Sequence, residues 1–173
     1  MTHTKTIIYR GKIIELSLEN VTLPNGALAE LEIVHHPGGA AVVALDHDNR
    51  VCLLRQYRHA AGGWLWELPA GKLDAGEPPL STAQRELEEE AGLRAARWES
   101  LGKIISSPGV FTEVVHLFLA RDLSSVPANT EAHEVLEVHW VPFTEALARA
   151  REGEITDAKT LVGLFRTEAV VCQ

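Results

Sequence analysis

The stretch that most constrains this chain runs from Leu68 to Leu93, LPAGKLDAGEPPLSTAQRELEEEAGL. A glycine-punctuated loop leads into a helix expected over about Pro79 to Ala91. Proline near its start and Gly92 after its end match the usual asymmetry of helix termini. Four of the six residues before Gly92 are Glu: Glu86, Glu88, Glu89 and Glu90. A helix C-terminus carries partial negative charge and favours Lys or Arg. Like charges three and four residues apart also repel. Acids crowded there need a physical reason.

On a helical projection with Glu86 at the origin, Glu90 falls at about 40° and Glu89 at about −60°. Leu80, Ala83, Leu87 and Ala91 fall at about 60° to 140°, an apolar stripe that packs on a core. Arg85 flanks the acids and can pair with Glu89 four residues on, while Glu88 points away to the surface. A solvated acidic face is the ordinary fate of a charge run. Here the acids border the apolar stripe and crowd the wrong end of the helix dipole. A bound divalent cation offsets both effects. Hard oxygen ligands without a neighbouring His or Cys suit Mg²⁺ or Mn²⁺. Ala70, Gly71 and Gly76 allow close backbone approach, and a backbone carbonyl there can add a ligand. Gly71 and Gly76 are followed by Glu77 and Pro78, so the loop is not a P-loop. HDNR, at 47–50, lacks the downstream acids of an EF-hand loop.

On both sides of this helix the chain reads as β-structure. KTIIYRGKIIELSLENVTLPNG alternates apolar and polar residues up to a Pro-Asn-Gly turn, and ALAELEIVHH resumes the alternation. Ala40–Leu45 and Val51–Tyr57 read as a hairpin around a polar turn. RWESLGKIISS, EVVHLFLAR and EVLEVHWVP follow as strands. Thr144 is the expected N-cap of a helix in PFTEALARAREGE, and TDAKTLVGLFRTEAVV is a last amphipathic helix. Strands with about three helices imply an α+β class, a mixed sheet sandwiched by helices.

Bulk properties set the remaining limits. A chain of 173 residues, 46% hydrophobic and 23% charged, is expected to form one domain with a real core. A net charge of −8 argues against nucleic-acid or anionic-membrane partners. Cys52 and Cys172 form no CxxC, so neither a disulfide framework nor a cysteine zinc site is expected. No leader-like or membrane-spanning apolar run is visible, and a cytoplasmic location is the expectation. The eight histidines show no metal-binding spacing; His35, His36 and His139 read as strand-surface or satisfied polar residues.

The spacing Gly71, five residues, Glu77, seven residues, Arg85-Glu86-Leu87-x-Glu89-Glu90-x-Gly92-Leu93 resembles the Nudix box, G-x5-E-x7-R-E-U-x-E-E-x-G-U, at all nine defined positions. LLRQYRHAAGGWLWELPAG, SSPGVFTEVVHLFLA with Pro108, and EITDAKTLVGL resemble the ADP-ribose pyrophosphatase branch of that family. The resemblance implies an α/β/α sandwich with a mixed sheet and extra N-terminal antiparallel strands. It implies a single domain over 1–173, with strands over 1–38 of the kind that usually build a swapped homodimer, and a catalytic core over 39–173. It also implies Mg²⁺-dependent hydrolysis of ADP-ribose or a related ADP-sugar to AMP and ribose 5-phosphate. The alternatives are another nucleoside diphosphate sugar such as GDP-mannose, or a non-catalytic domain that senses ADP-ribose or binds a protein or DNA partner. Such non-catalytic domains usually lose box acids, and all are present here.

The resemblance also distributes roles. Glu86 and Glu90 are the first metal ligands, with the Ala70 carbonyl third. Glu89 is a ligand or a base, and Glu77 an outer ligand or a brace for the box. Arg85 orients Glu89 or Glu77. The general base is expected from NTEAHEVLEVHW, at Glu134 or Glu131, although Ala132 stands where relatives often carry another acid. Arg58 is the first phosphate-contacting cation and Arg55 the second; on one strand the two point differently. Trp66 is expected to pack against the box loop. Glu113 is a candidate contact for the terminal ribose.

Overall fold

The structure, a computed structural model, describes residues 4–130 and 134–171. The alternating N-terminal segments form β1 (Thr4–Arg10), β2 (Glu15–Thr22) and β3 (Leu28–His35), an antiparallel sheet of their own. The Pro-Asn-Gly turn joins β2 to β3, with Gly26 N–H donating to the Leu23 carbonyl. Next come β4 (Gly39–Ala44), β5 (Arg50–Arg58), a 3₁₀ turn (His59–Ala61), β6 (Gly63–Glu67) and β7 (Ala70–Lys72). The acidic helix is α1 (Pro79–Ala91), the span its terminal residues predicted. Then follow β8 (Leu93–Ile105), β9 (Val114–Ser125), β10 (Leu136–Pro142), α2 (Phe143–Glu152) and α3 (Ala158–Val171).

Two further sheets build the body. One has the order β7-β4-β9-β8 and the other β10-β5-β6. The first is mixed: β4 runs parallel to β9, while β7 and β8 are antiparallel to their neighbours. Every residue of β4, GAAVVA, is buried, which explains its lack of polar alternation. Ala40, Val42 and Ala44 pack with Ala83 and Leu87 of α1. Ala41 and Val43 face the other way, into a cluster with Ala146 and Leu147 of α2 and Leu164 of α3. Helices therefore cover both faces, giving the expected α/β/α sandwich with extra N-terminal antiparallel strands. Leu87 is fully buried, so truncating it to Ala removes about 2–5 kcal/mol. Among the described residues no helix is long and apolar enough to cross a membrane.

Three local expectations are corrected. Ala40–Leu45 and Val51–Tyr57 are strands but not a hairpin; a single bridge, Leu45 to Val51, joins them before they enter different sheets. Both carry continuous apolar runs, and each finds its partners elsewhere in the chain. Thr144 is not an N-cap: α2 starts at Phe143, and Pro142 stands at the cap without a side-chain bond. Thr144 is already the second helical residue, past the non-helical position from which a side chain caps. Leu80 leaves the apolar stripe and is 37% exposed, because α1 meets the core through its later turns at Ala83 and Leu87.

Candidate active site

The box works through the last turns of α1. Gly92 ends the helix in the left-handed region at φ 63, its N–H donating to the Glu88 and Leu87 carbonyls. Glu86 and Glu90 then face β7 and are only 7% and 2% exposed. Ala70 N–H donates to Glu90 Oε2 at 2.8 Å, and Gly71 lies directly against the Glu86 carboxylate. Glu88 points outward and pairs with Arg94.

Arg85 ties the box together. Its Nη1 donates to Glu86 Oε1 at 2.7 Å and to Glu89 Oε2 at 3.1 Å. Its Nε and Nη2 donate to Glu77 at 3.2 and 3.1 Å, and Nη2 reaches the Lys72 carbonyl at 3.3 Å. Glu77 also accepts from the Thr82 hydroxyl and the Asp74 N–H.

The electrostatics follow. The Arg85 hydrogen bonds hold the Glu77 carboxyl down to about 2. Burial pushes Glu90 up to about 8; the Ala70 N–H opposes this, and the charges of Glu86 and Glu134 add to it. Burial also raises Glu86, against the pull of Arg85. Two buried carboxylates that repel each other and Glu134 favour either protons or a cation. The donors are carboxylate oxygens beside backbone, with no soft ligand, and so fit a hard divalent ion. Among the described residues no three acidic, His or Cys side chains already gather around one point; Arg85 instead holds Glu86 Oε1 and Glu89 Oε2.

These groups form one wall of a cleft of about 440 Å³. Arg58, Asp157 and Lys159 line it too, as do Glu134, His36 and Glu113. Residues 35–161 match the family model of the NUDIX domain. The chain belongs to the Nudix family. An ADP-ribose pyrophosphatase of Mycobacterium tuberculosis is 39% identical over 172 residues, 98% of this chain and 83% of that one. One from Bacillus subtilis is 41% identical over 161 residues, 92% of this chain and 87% of its own. A solved structure described as an ADP compounds hydrolase superposes with a TM-score of 0.84, covering 99% of this chain and 95% of its own. At 20% identity that likeness speaks to fold alone.

The other predicted site residues divide. Of the two arginines on β5, Arg58 lines the Nudix cleft, whereas Arg55 lies over the Trp66 ring at 5.3 Å and is not part of the cleft lining. Their separation follows from strand alternation. Trp66 packs on the main core. Glu113 does reach the cleft, 3.4 Å from His36 Nδ1, which accepts the Gly38 N–H. His36, expected as a strand-surface or satisfied polar residue, thus lines the site. Glu131 lies outside the described residues. Sequence reasoning gave no role to Lys159 and Asp157 in the cleft, nor to the buried Glu67 that Lys159 meets. A signal existed for Glu67, an acid closing the apolar strand GWLWE, since a buried carboxylate needs a cationic partner.

Proposed function

We propose that this Nudix chain hydrolyses the pyrophosphate linkage of ADP-ribose, or of a related ADP-sugar, to AMP and ribose 5-phosphate. The observation that carries the chemistry is the burial of Glu86 and Glu90 side by side in a cleft that also holds Arg58. The substrate rests on the two ADP-ribose pyrophosphatase relatives, which align over nearly the whole chain. Water adds across one P–O bond of the bridge. The bridging oxygen leaves on one phosphate and the water oxygen stays on the other; both products are phosphate monoesters with a second pKa of about 6, so nearly two protons are released at neutral pH.

Glu86 and Glu90, with the Ala70 carbonyl, would hold a divalent cation, Mg²⁺ in the first place and Mn²⁺ as its substitute. Such an ion neutralises phosphate charge and lowers the pKa of water. Arg85 keeps Glu86 and Glu89 turned into the cleft, and Glu77 fixes Arg85 from behind. Glu134 is the preferred base: it lines the cleft, and its charge is felt by both Glu86 and Glu90. Glu89 is second, and Glu131 is a third carboxylate for mutation. Arg58 supplies positive charge to the phosphates, and Glu113 a contact to the distal ribose.

Residues 39–173 serve as the catalytic core, with residues 1–38 as a dimer-forming sheet. β1 is exposed along its whole length and presents Ile7, Ile8 and Tyr9, an apolar strip suited to a second copy. Light scattering reads the oligomeric state.

The deciding experiment measures AMP release from ADP-ribose with Mg²⁺, beside a chelator control and Glu90→Gln. Release abolished in both controls supports the proposal. Turnover of GDP-mannose without turnover of ADP-ribose retains the chemistry and overturns the substrate. No turnover of any nucleoside diphosphate sugar overturns both.

A further inference from the structure

Arg58, at the end of β5, and Lys159, in the first turn of α3, meet on one buried carboxylate. Glu67, at the end of β6, is 2% exposed. Arg58 donates to it through Nε at 2.8 Å and Nη2 at 3.0 Å. Lys159 Nζ donates to the same carboxylate at 2.6 Å and to Asp157 Oδ1 at 3.0 Å. The other oxygen of Asp157 caps α3, accepting the Thr160 N–H at 3.0 Å and its hydroxyl at 2.6 Å. Burial alone would raise the Glu67 carboxyl; Arg58 and Lys159 together bring it below the usual range.

The four charges cancel, but they are not placed evenly. Glu67 sits at the back, while the side chains of Arg58, Lys159 and Asp157 are 41%, 18% and 17% exposed and all line the cleft, so its face keeps two cations to one anion. An ammonium carries three N–H donors, and the two bonds above leave one for the cleft. A buried ion cluster is also a poor source of stability compared with apolar packing, so stability alone does not account for it. A pyrophosphate diester carries two negative charges, and Arg58 matches one.

We infer that Lys159 is a second substrate-binding cation, contacting phosphate oxygens beside Arg58, and that Glu67 is the positioning residue that holds both. The inference rests on the reading of this cleft as a nucleoside diphosphate site.

The test combines ADP binding by calorimetry, in chelator, with kcat and KM for ADP-ribose. Lys159→Met is expected to weaken ADP binding about tenfold, the scale of one charge-assisted contact, and to lower kcat/KM by a similar factor or more. Lys159→Arg restores most of both. Glu67→Gln, nearly isosteric, weakens ADP binding in the same direction, and combining it with Lys159→Met gives less than the product of the two effects. A folded Lys159→Met protein with wild-type ADP affinity and kcat/KM overturns the inference and leaves the cluster as a strut between α3 and β6. Should Lys159→Met not fold, unchanged ADP affinity in Glu67→Gln overturns it equally. Loss of ADP affinity in Lys159→Met, in a protein that does not hydrolyse ADP-ribose, upholds the inference while the proposed substrate falls.

Discussion

The Cβ that Gly71 lacks would stand 1.9 Å from Oε1 of Glu86 and 2.1 Å from its carboxyl carbon. The carboxylate therefore occupies space that any other residue at position 71 would claim. Because Glu86 can swing aside, Gly71→Ala is expected to cost no more than about 1–2 kcal/mol of stability. Activity should nonetheless fall more than about a hundredfold, because a proposed cation ligand is displaced. Melting temperature and AMP release, measured on one preparation, separate the two effects. Wild-type rates in this variant would show that Glu86 does not act from this position.

Arg85→Lys is the second variant. One guanidinium serves Glu77, Glu86 and Glu89 at once; an ammonium cannot reproduce that planar fork. A drop in kcat of about 10- to 100-fold is expected, on the scale found for groups that orient metal ligands. Steady-state kinetics with saturating Mg²⁺ checks it, and a change confined to KM would contradict the orienting role.

Proton linkage at Glu90 gives a third. In the metal-free protein its carboxyl sits at about 8, above the ordinary 4.5. The native state then binds a proton that the unfolded chain releases. The stability it contributes is full below pH 4.5 and is lost as pH rises toward 8. With chelator present, melting temperature should decline over this window in the wild type and less in Glu90→Gln. Cation uptake at pH 7 should release about one proton, read by calorimetry in two buffers of different ionisation enthalpy.

Glu77 has the opposite sign. Its carboxyl is held at about 2, so the stability it contributes is present above pH 4.5 and lost as pH falls toward 2. Glu77→Gln should flatten the acid limb of a stability–pH curve. An acid limb identical to the wild type would mean that the Arg85 contact is not maintained in solution.

Glu88→Gln is the internal control. Glu88 belongs to the same run of acids but pairs outward with Arg94, and partly exposed ion pairs contribute little. Stability within about 0.5 kcal/mol of the wild type and unchanged AMP release are expected. A large loss of activity here would mean that the acidic run acts as a diffuse field and not through Glu86 and Glu90.

Much of the site was legible because its signals are local. Pro79 and Gly92 bound the helix, and the 3.6-residue period separates Glu86 and Glu90 from Glu88. The same arithmetic placed Leu80 on the apolar stripe yet could not tell that α1 meets the core only at its later turns. The false hairpin failed for a related reason. Val51–Tyr57 and Ala40–Leu45 have the composition of strands, but composition does not name a partner: β4 pairs with β7 and β9, and β5 with β6 and β10.

The chain's own order of residues thus determined most element types, though not the short strands β6 and β7, together with the ends of α1 and the acids that share its inner face, since these depend on neighbours within a turn or two. Tertiary structure decided the rest: that Gly71 makes room for Glu86, that Arg58 enters the cleft while Arg55 covers Trp66, and that Lys159 meets Glu67 from 92 positions away. Such contacts arise only when the sheets assemble, because a buried carboxylate accepts whichever cation the topology delivers to it.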